Sequence, residues 1–293
     1  KLLNCRTNAY AKMIFSNESD DQKHACNMVM ENNISIMTGG PGTGKSNTII
    51  RICNHFNKNK IPFKILSPTG TSSQSLKDAL SNHNKKNKDN EHNYGDDIMT
   101  IDKFIKMNDN LDNRDLQIEM IVIDEFSMVG LKKFNQLIRI LNLVRILKKI
   151  IIVGDPNQLP SIQIGNILHD FINYGIYEQE NMNNFMIQKK KLIPCATLTT
   201  VHRTDCDEIM QITNAIVCNT PEKIIGNTND KFKYFNNLSN IYQRINSYKN
   251  EIHNTMLLIH TNKGDWGCDV INKEISNILV PTNSEYNGFK IKD

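Results

Sequence analysis

Three short segments carry residue types whose spacing could do chemistry. Gly39-Gly40-Pro41-Gly42-Thr43-Gly44-Lys45-Ser46 reads G-x-x-x-x-G-K-S from Gly39. It lies between an apolar run, Ile34 to Met37, and a helical pattern beginning at Lys45. Glycines there let backbone N–H groups turn inward around phosphate oxygens, and the helix N-terminus adds partial positive charge. Lys45 supplies a point charge, and the Ser46 hydroxyl is a hard oxygen ligand for Mg²⁺. A loop of this kind implies a nucleoside triphosphate and leaves its use open. The second segment, Ile121-Val122-Ile123-Asp124-Glu125, sets two carboxylates at the end of an apolar strand. One acid suits a metal ion, while the other remains free to act as a base toward water. The third, Ile150 to Val153 followed by Gly154-Asp155-Pro156-Asn157-Gln158, ends a strand in a polar turn. The Gln158 amide both donates and accepts, so it could respond to the presence of a terminal phosphate.

These residues need a scaffold that brings strand ends together. Short apolar strands alternate with helical patterns through the first half of the chain, and continuous runs such as Met120–Ile123 fit strands buried on both faces. The expected class is α/β, a parallel sheet with right-handed crossovers and ligands at the carboxyl ends of its strands. At 293 residues the chain has room for about two domains. Residues 81–97 are polar and of low complexity and read as an exposed, mobile loop. The Lys-rich stretch 181–194 reads as a linker. Cys195 to Leu198 and Met256 to His260 read as strands of a second unit.

Composition narrows the function classes. With 39% hydrophobic and 23% charged residues the chain is an ordinary globular sequence, not a disordered one. No apolar run approaches the ~18–20 residues that span a bilayer. The N-terminal residues have no signal-peptide core, and the absence of an initiator Met suggests a start inside a longer chain. Seven scattered cysteines without a C-x-x-C pair argue against a zinc or disulfide framework and for an intracellular, reducing compartment. The formal charge of +4 permits a polyanionic partner without requiring one.

The segments GGPGTGKS, IDEFSM and GDPNQLP, in that order, resemble motifs I, II and III of superfamily-one helicases, most of all the RecD-like (exonuclease V alpha-subunit type) branch. Further stretches fit. Asp21-Gln22-Lys23 resembles the Q motif, whose glutamine reads adenine, and Ser67-Pro68-Thr69-Gly70-Thr71 resembles motif Ia, which touches single-stranded DNA. Thr100-Ile101-Asp102-Lys103-Phe104 resembles a T-I-H segment with Asp102 in place of His. Leu198 to Arg203 resembles motif IV, whose arginine reaches the γ-phosphate. The stretch from Leu258 to Gly264 resembles the opening of the second motor domain.

The resemblance implies a P-loop NTPase with a RecA-like parallel sheet over residues 20–180, preceded by an N-terminal segment, 1–19. A candidate pin insertion falls at 106–119, and an incomplete second RecA-like domain over 195–293. It also implies an ATP-dependent helicase or translocase moving 5′ to 3′, with ATP and Mg²⁺ as cofactors and single-stranded DNA or a single-strand/duplex junction as partner. Lys45, Asp124, Glu125, Gln158 and Arg203 would carry catalysis, with Arg203 on the second domain. Gln22 and the whole loop from Gly39 to Ser46 would hold the nucleotide, Ser46 and Asp124 the metal, and Pro68, Thr69, Gly70, Thr71, Thr100 and Phe104 the DNA. Motifs V and VI do not occur before Asp293. A module that binds ATP and nucleic acid without unwinding is therefore the alternative. A non-helicase P-loop NTPase is a third reading, and it leaves the second and third motifs unexplained.

Overall fold

In the computed structural model, six parallel strands place all their carboxyl ends along one edge, and that edge carries nearly every candidate residue named above. The structure describes residues 18–87, 94–109, 116–173, 176–180, 187–191, 193–202, 207–220, 237–247, 257–259, 261–279, 285–286 and 289–290. The chain divides into two units, ending and starting at Asp205 and Cys206.

In the first unit the elements are α1 (Asp20–Glu31), β1 (Ile34–Gly39), α2 (Lys45–Lys58), β2 (Phe63–Ser67), α3 (Gly70–Asn87), β3 (Ile98–Thr100) and α4 (Ile101–Asn108). There follow β4 (Met120–Ile123), α5 (Leu131–Leu143), β5 (Lys149–Gly154), α6 (Ile167–Asn173), β6 (Ile176–Glu180), β7 (Ile187–Lys191) and β8 (Cys195–Leu198). The sheet order is β3-β2-β4-β5-β1-β8, and every neighbouring pair in it is parallel.

Alternation along the strands builds two cores. Met37, Ile65, Val122, Ile151 and Val153 face the layer of α1, α2 and α3. Ile36, Leu66, Ile121, Ile123, Ile150 and Ile152 face the layer of α4, α5 and α6. Strands covered on both faces have no polar side to show, which is why they read as unbroken apolar runs.

One cation is built into this core. Lys149 opens β5 at 1% exposure. Its Nζ donates to the carbonyls of Val29, Asn32 and, at 3.3 Å, Met30, capping the C-terminal end of α1. Burial pushes its pKa down to about 8. Lys149→Met preserves the stem and strands three carbonyls. It is expected to cost about 2–4 kcal/mol in urea unfolding, and an unchanged midpoint would show that water replaces the ammonium.

Several expectations need correction. Cys195–Leu198 does not open the second unit: β8 pairs in parallel with β1, and Ala196 and Leu198 are buried in the first core. The stretch 181–194 is not a plain linker either, because β7 pairs antiparallel with β6 as a separate two-stranded ribbon. The polar loop expected over 81–97 begins as helix, since α3 runs on to Asn87. It closes as a 3₁₀ turn, Tyr94–Asp96, with Tyr94 buried, its ring 6.2 Å from Phe63 and its hydroxyl donating to Asn54 Oδ1 at 2.6 Å. Of the candidate pin, Lys106 to Asn108 complete α4, while 110–115 lie outside the described residues, as does 1–17 of the N-terminal segment.

The second unit contains α7 (Asp207–Val217), α8 (Leu238–Ser247), α9 (Cys268–Leu279) and an antiparallel pair, β9 (Glu285–Tyr286) with β10 (Phe289–Lys290). Helices α8 and α9 pack together. Residues 257–259, expected in a strand, are not in one. Among the described residues no helix is long and apolar enough to cross a membrane, and Cys26, Cys53, Cys195, Cys218 and Cys268 are free thiols.

Candidate nucleotide-binding site

The loop between β1 and α2 is held open by what its glycines leave out. A Cβ on Gly39 would lie 2.6 Å from Thr43 Oγ1 and 2.8 Å from the Leu198 carbonyl. Gly44 caps α2 with φ +84°, and a Cβ there would lie 2.5 Å from Gln22 Nε2. Both positions therefore need glycine, one for space and one for backbone conformation as well. Thr43 Oγ1 donates to the Gly40 carbonyl at 2.9 Å. Lys45 folds over the loop, its Nζ donating to the carbonyls of Gly39 at 2.7 Å and Gly40 at 2.9 Å. Gly42 lines the cleft beside exposed Pro41, and Ser46 is exposed at the first turn of α2.

At the end of β4, Asp124 is buried and donates its N–H to the Leu66 carbonyl at 2.8 Å. Its Oδ1 accepts the Glu125 N–H at 2.9 Å. Glu125 takes φ +50° and caps the 3₁₀ turn Phe126–Met128. That left-handed conformation is costly for a residue with a side chain, and it tends to occur where function requires it. Glu125 Oε2 is buried with no hydrogen-bond partner among the described residues. Burial, reinforced by the neighbouring Glu125 charge, pushes the Asp124 carboxyl up to about 6; the Glu125 N–H and Lys45 offset part of this.

At the end of β5, buried Asp155 accepts the Asn157 N–H at 2.9 Å, and its carbonyl accepts the Gln158 N–H at 3.2 Å. This turn presents Gln158 to the cleft. A cavity of about 580 Å³ brings Lys45, Ser46, Asp124, Glu125 and Gln158 together. Gln22, 6% exposed, packs against Gly44 at its margin.

Some wall residues are not evident from sequence. His202, which reads as structural beside Arg203, lines the cavity and donates its N–H to the Gly42 carbonyl at 2.8 Å. Ser72, Ser75 and Ala79 of α3 form another wall, visible only as a stripe of small residues at helical spacing. Arg203 itself lies outside the described residues. Its neighbour His202 belongs to the first unit, not the second.

The candidate nucleic-acid residues lie on the β2–β3 half of the same edge. Thr69 caps α3: its Oγ1 accepts the Ser72 N–H at 3.2 Å. Half-buried Pro68 precedes it, and Gly70 and Thr71 are exposed, with open space around Gly70. Thr100 caps α4 through the Lys103 N–H at 3.2 Å. Phe104 must be removed from this set. It is 2% exposed within the second core, so no ring face is available for a base. Asp102, in the place of His, pairs with Lys133 at 2.8 Å.

The residues fit a Mg²⁺–nucleotide. Glycines leave a cradle that side chains would fill, the Lys45 ammonium sits in it, and the Ser46 hydroxyl and Asp124 carboxylate line the same cavity. Among the described residues no cluster of three His, Cys, Asp or Glu could hold a metal alone.

The sheet and loop define a P-loop nucleotide-binding domain. Comparison with known proteins adds what the chain is similar to. Residues 22–163 match the family described as AAA domain. The chain is 30% identical over 176 residues to RecBCD enzyme subunit RecD of Buchnera aphidicola subsp. Schizaphis graminum, a match covering 55% of this chain and 29% of that protein. It is 27% identical over 173 residues to RecD of Haemophilus influenzae, covering 54% and 27%. An uncharacterised protein of Methanocaldococcus jannaschii is 28% identical over 73% of this chain and 18% of its own length. The chain thus spans less than a third of these relatives. Among solved structures, Pif1 helicase from Candida albicans aligns over 84% of this chain and 57% of its own, with 16% identity and a TM-score of 0.46. Over the stretches matched, the chain is similar to the AAA domain family and to RecD proteins.

Proposed function

We propose that the chain is the ATP-hydrolysing part of a DNA helicase or translocase acting on single-stranded DNA or a single-strand/duplex junction, with travel 5′ to 3′ as its family resemblance implies. The observation that carries this is the convergence of Lys45, Ser46, Asp124, Glu125 and Gln158 on one cavity. The DNA substrate is what the resemblance of its motifs to superfamily-one helicases implies.

In this reading, backbone N–H groups from Gly42 to Ser46 and the α2 N-terminus bind the phosphates. Lys45 leaves its loop carbonyls for the β- and γ-phosphates. Ser46 and Asp124 hold Mg²⁺, which when bound neutralises phosphate charge. Glu125 Oε2, buried and unpaired, accepts the proton of the attacking water. The water oxygen bonds to the γ-phosphorus as the bond to the β-phosphate oxygen breaks, leaving ADP and phosphate. Gln158 orients the water and reports the loss of the γ-phosphate, and Arg203 stabilises charge as it develops. Gln22 reads adenine beside Gly44. Motif Ia residues Pro68 to Thr71, with Thr100, hold the DNA backbone.

Steady-state ATP hydrolysis with and without oligo(dT) tests the assignment. Stimulation of about tenfold or more is expected if strand binding drives the closure that commits the site to hydrolysis. Equal rates with and without DNA would remove the helicase reading and leave a DNA-independent NTPase.

A further inference from the structure

One carboxylate joins two stretches of chain 178 residues apart. Asp21, in the first turn of α1, accepts the Gln22 N–H at 2.8 Å and the Ser19 hydroxyl on Oδ1. Its Oδ2 accepts the Thr199 N–H at 2.7 Å, the Thr200 N–H at 2.9 Å and the Thr199 hydroxyl at 3.4 Å. Those amides follow directly on β8, whose pairing with β1 ends at Leu198 opposite Gly39. Strand pairing gives them no further partner, and the carboxylate takes its place.

Three residues beyond Thr199, His202 donates its N–H to the Gly42 carbonyl of the phosphate loop and lines the nucleotide cavity. Arg203 is the next residue in the chain. On the other side, Gln22, whose N–H the same carboxylate holds, packs against Gly44. A single acid thus ties together the two segments that flank the loop.

We propose that Asp21 is a positioning residue that latches the Thr199–His202 segment against the phosphate loop; its catalytic consequence rests on the ATP-hydrolysing reading above. Charge-assisted bonds from backbone N–H groups to a carboxylate are short and strong. Burial alone would raise the Asp21 pKa, but the Ser19 hydroxyl and the Thr200, Thr199 and Gln22 amides outweigh it and hold the acid well below the usual carboxylate range. The latch therefore stays ionised at neutral pH. A phosphate loop that positions a reacting nucleotide needs a fixed backbone, and His202 holds that loop at Gly42; a displacement of about 1 Å can cost about 10²-fold in rate.

The test compares the 293-residue chain with Asp21→Ala, with the isosteric Asp21→Asn, and with Ser19→Ala, which removes one hydroxyl from Oδ1 alone. Amide hydrogen exchange is followed over 198–202 and over β1 and β5, with kcat and KM for ATP in parallel. Asp21→Ala should speed exchange over 198–202 by about tenfold or more while β1 and β5 keep the parental rate. Its kcat should fall by about 10- to 100-fold with KM within about threefold, as expected when positioning rather than binding is lost. Asp21→Asn should lie between, and Ser19→Ala should match the parent. Unchanged exchange over 198–202, exchange rising equally in β1 and β5, or released exchange with parental kcat each overturns the proposal. If the parent itself hydrolyses no ATP, released exchange over 198–202 still upholds the latch, and it is the ATPase reading that falls.

Discussion

Lys45→Ala is expected to reduce DNA-stimulated ATP hydrolysis by about 10²- to 10³-fold or more, with the fold intact. Two effects add. The variant removes the point charge that would face the β- and γ-phosphates. It also exposes the Gly39 and Gly40 carbonyls that the ammonium now satisfies, so two acceptor oxygens turn toward an anionic ligand. Nothing in the packing opposes the change. Lys45 opens α2 with its side chain in the cleft, and alanine is the best helix former. The melting temperature should therefore stay within a few degrees of the parent, and circular dichroism should be unchanged. Hydrolysis at the parental rate would show that the cavity is not where ATP reacts. A collapse of the melting temperature would show instead that the ammonium is a structural cap of the loop.

How much of this arrangement can be read before folding depends on whether the information is local. The phosphate loop is legible because its function sits in eight consecutive residues between a strand and a helix. Strands β4 and β5 are legible because burial on both faces leaves continuous apolar runs, Met120–Ile123 and Ile150–Val153. Membership of β8 is not legible: Cys195–Leu198 is a short apolar strand, and nothing in four residues specifies that it pairs with Ile36–Gly39. The β6–β7 ribbon escapes for the opposite reason, since its strands carry Glu, Gln and Lys without an apolar alternation. The end of the polar stretch at Tyr94 depends on one aromatic finding Phe63 and Asn54, contacts made 31 and 40 positions away in sequence. Phe104 is a different case: flanking Ile101 and Ile105 already favour the core over a base platform in the sequence, and α4 buries it there. Asp21 and His202 are individually unremarkable in sequence; their meaning appears only when β8 delivers Thr199–His202 to the phosphate loop.

The site also works against the stability of its own fold, and Asp124→Asn should expose this. Folded Asp124 titrates near 6, against an ordinary 3.8, because burial and the Glu125 charge penalise its ionised form. Between about pH 4 and 6 the folded protein therefore holds a proton that the unfolded chain has released. Stability must fall as pH rises through that window and level off above it. A shift of this size corresponds to about 3 kcal/mol at pH 8, at about 1.4 kcal/mol for each pH unit of separation. Asparagine keeps an oxygen to accept the Glu125 N–H and carries no charge. In the absence of nucleotide and divalent metal, the variant should melt above the parent by roughly 6–10 °C at pH 8. The gain should shrink to about half by pH 5 as the parental acid protonates. The same variant should lose at least about 10²-fold in Mg²⁺-dependent hydrolysis, because the charge that destabilises the empty cleft is the one the bound cation requires. Thermal melts of both proteins across this pH range, with chelator present, provide the check. A variant no more stable than the parent at pH 8, or a gain independent of pH, would mean that the Asp124 carboxylate is solvated well enough to ionise without cost.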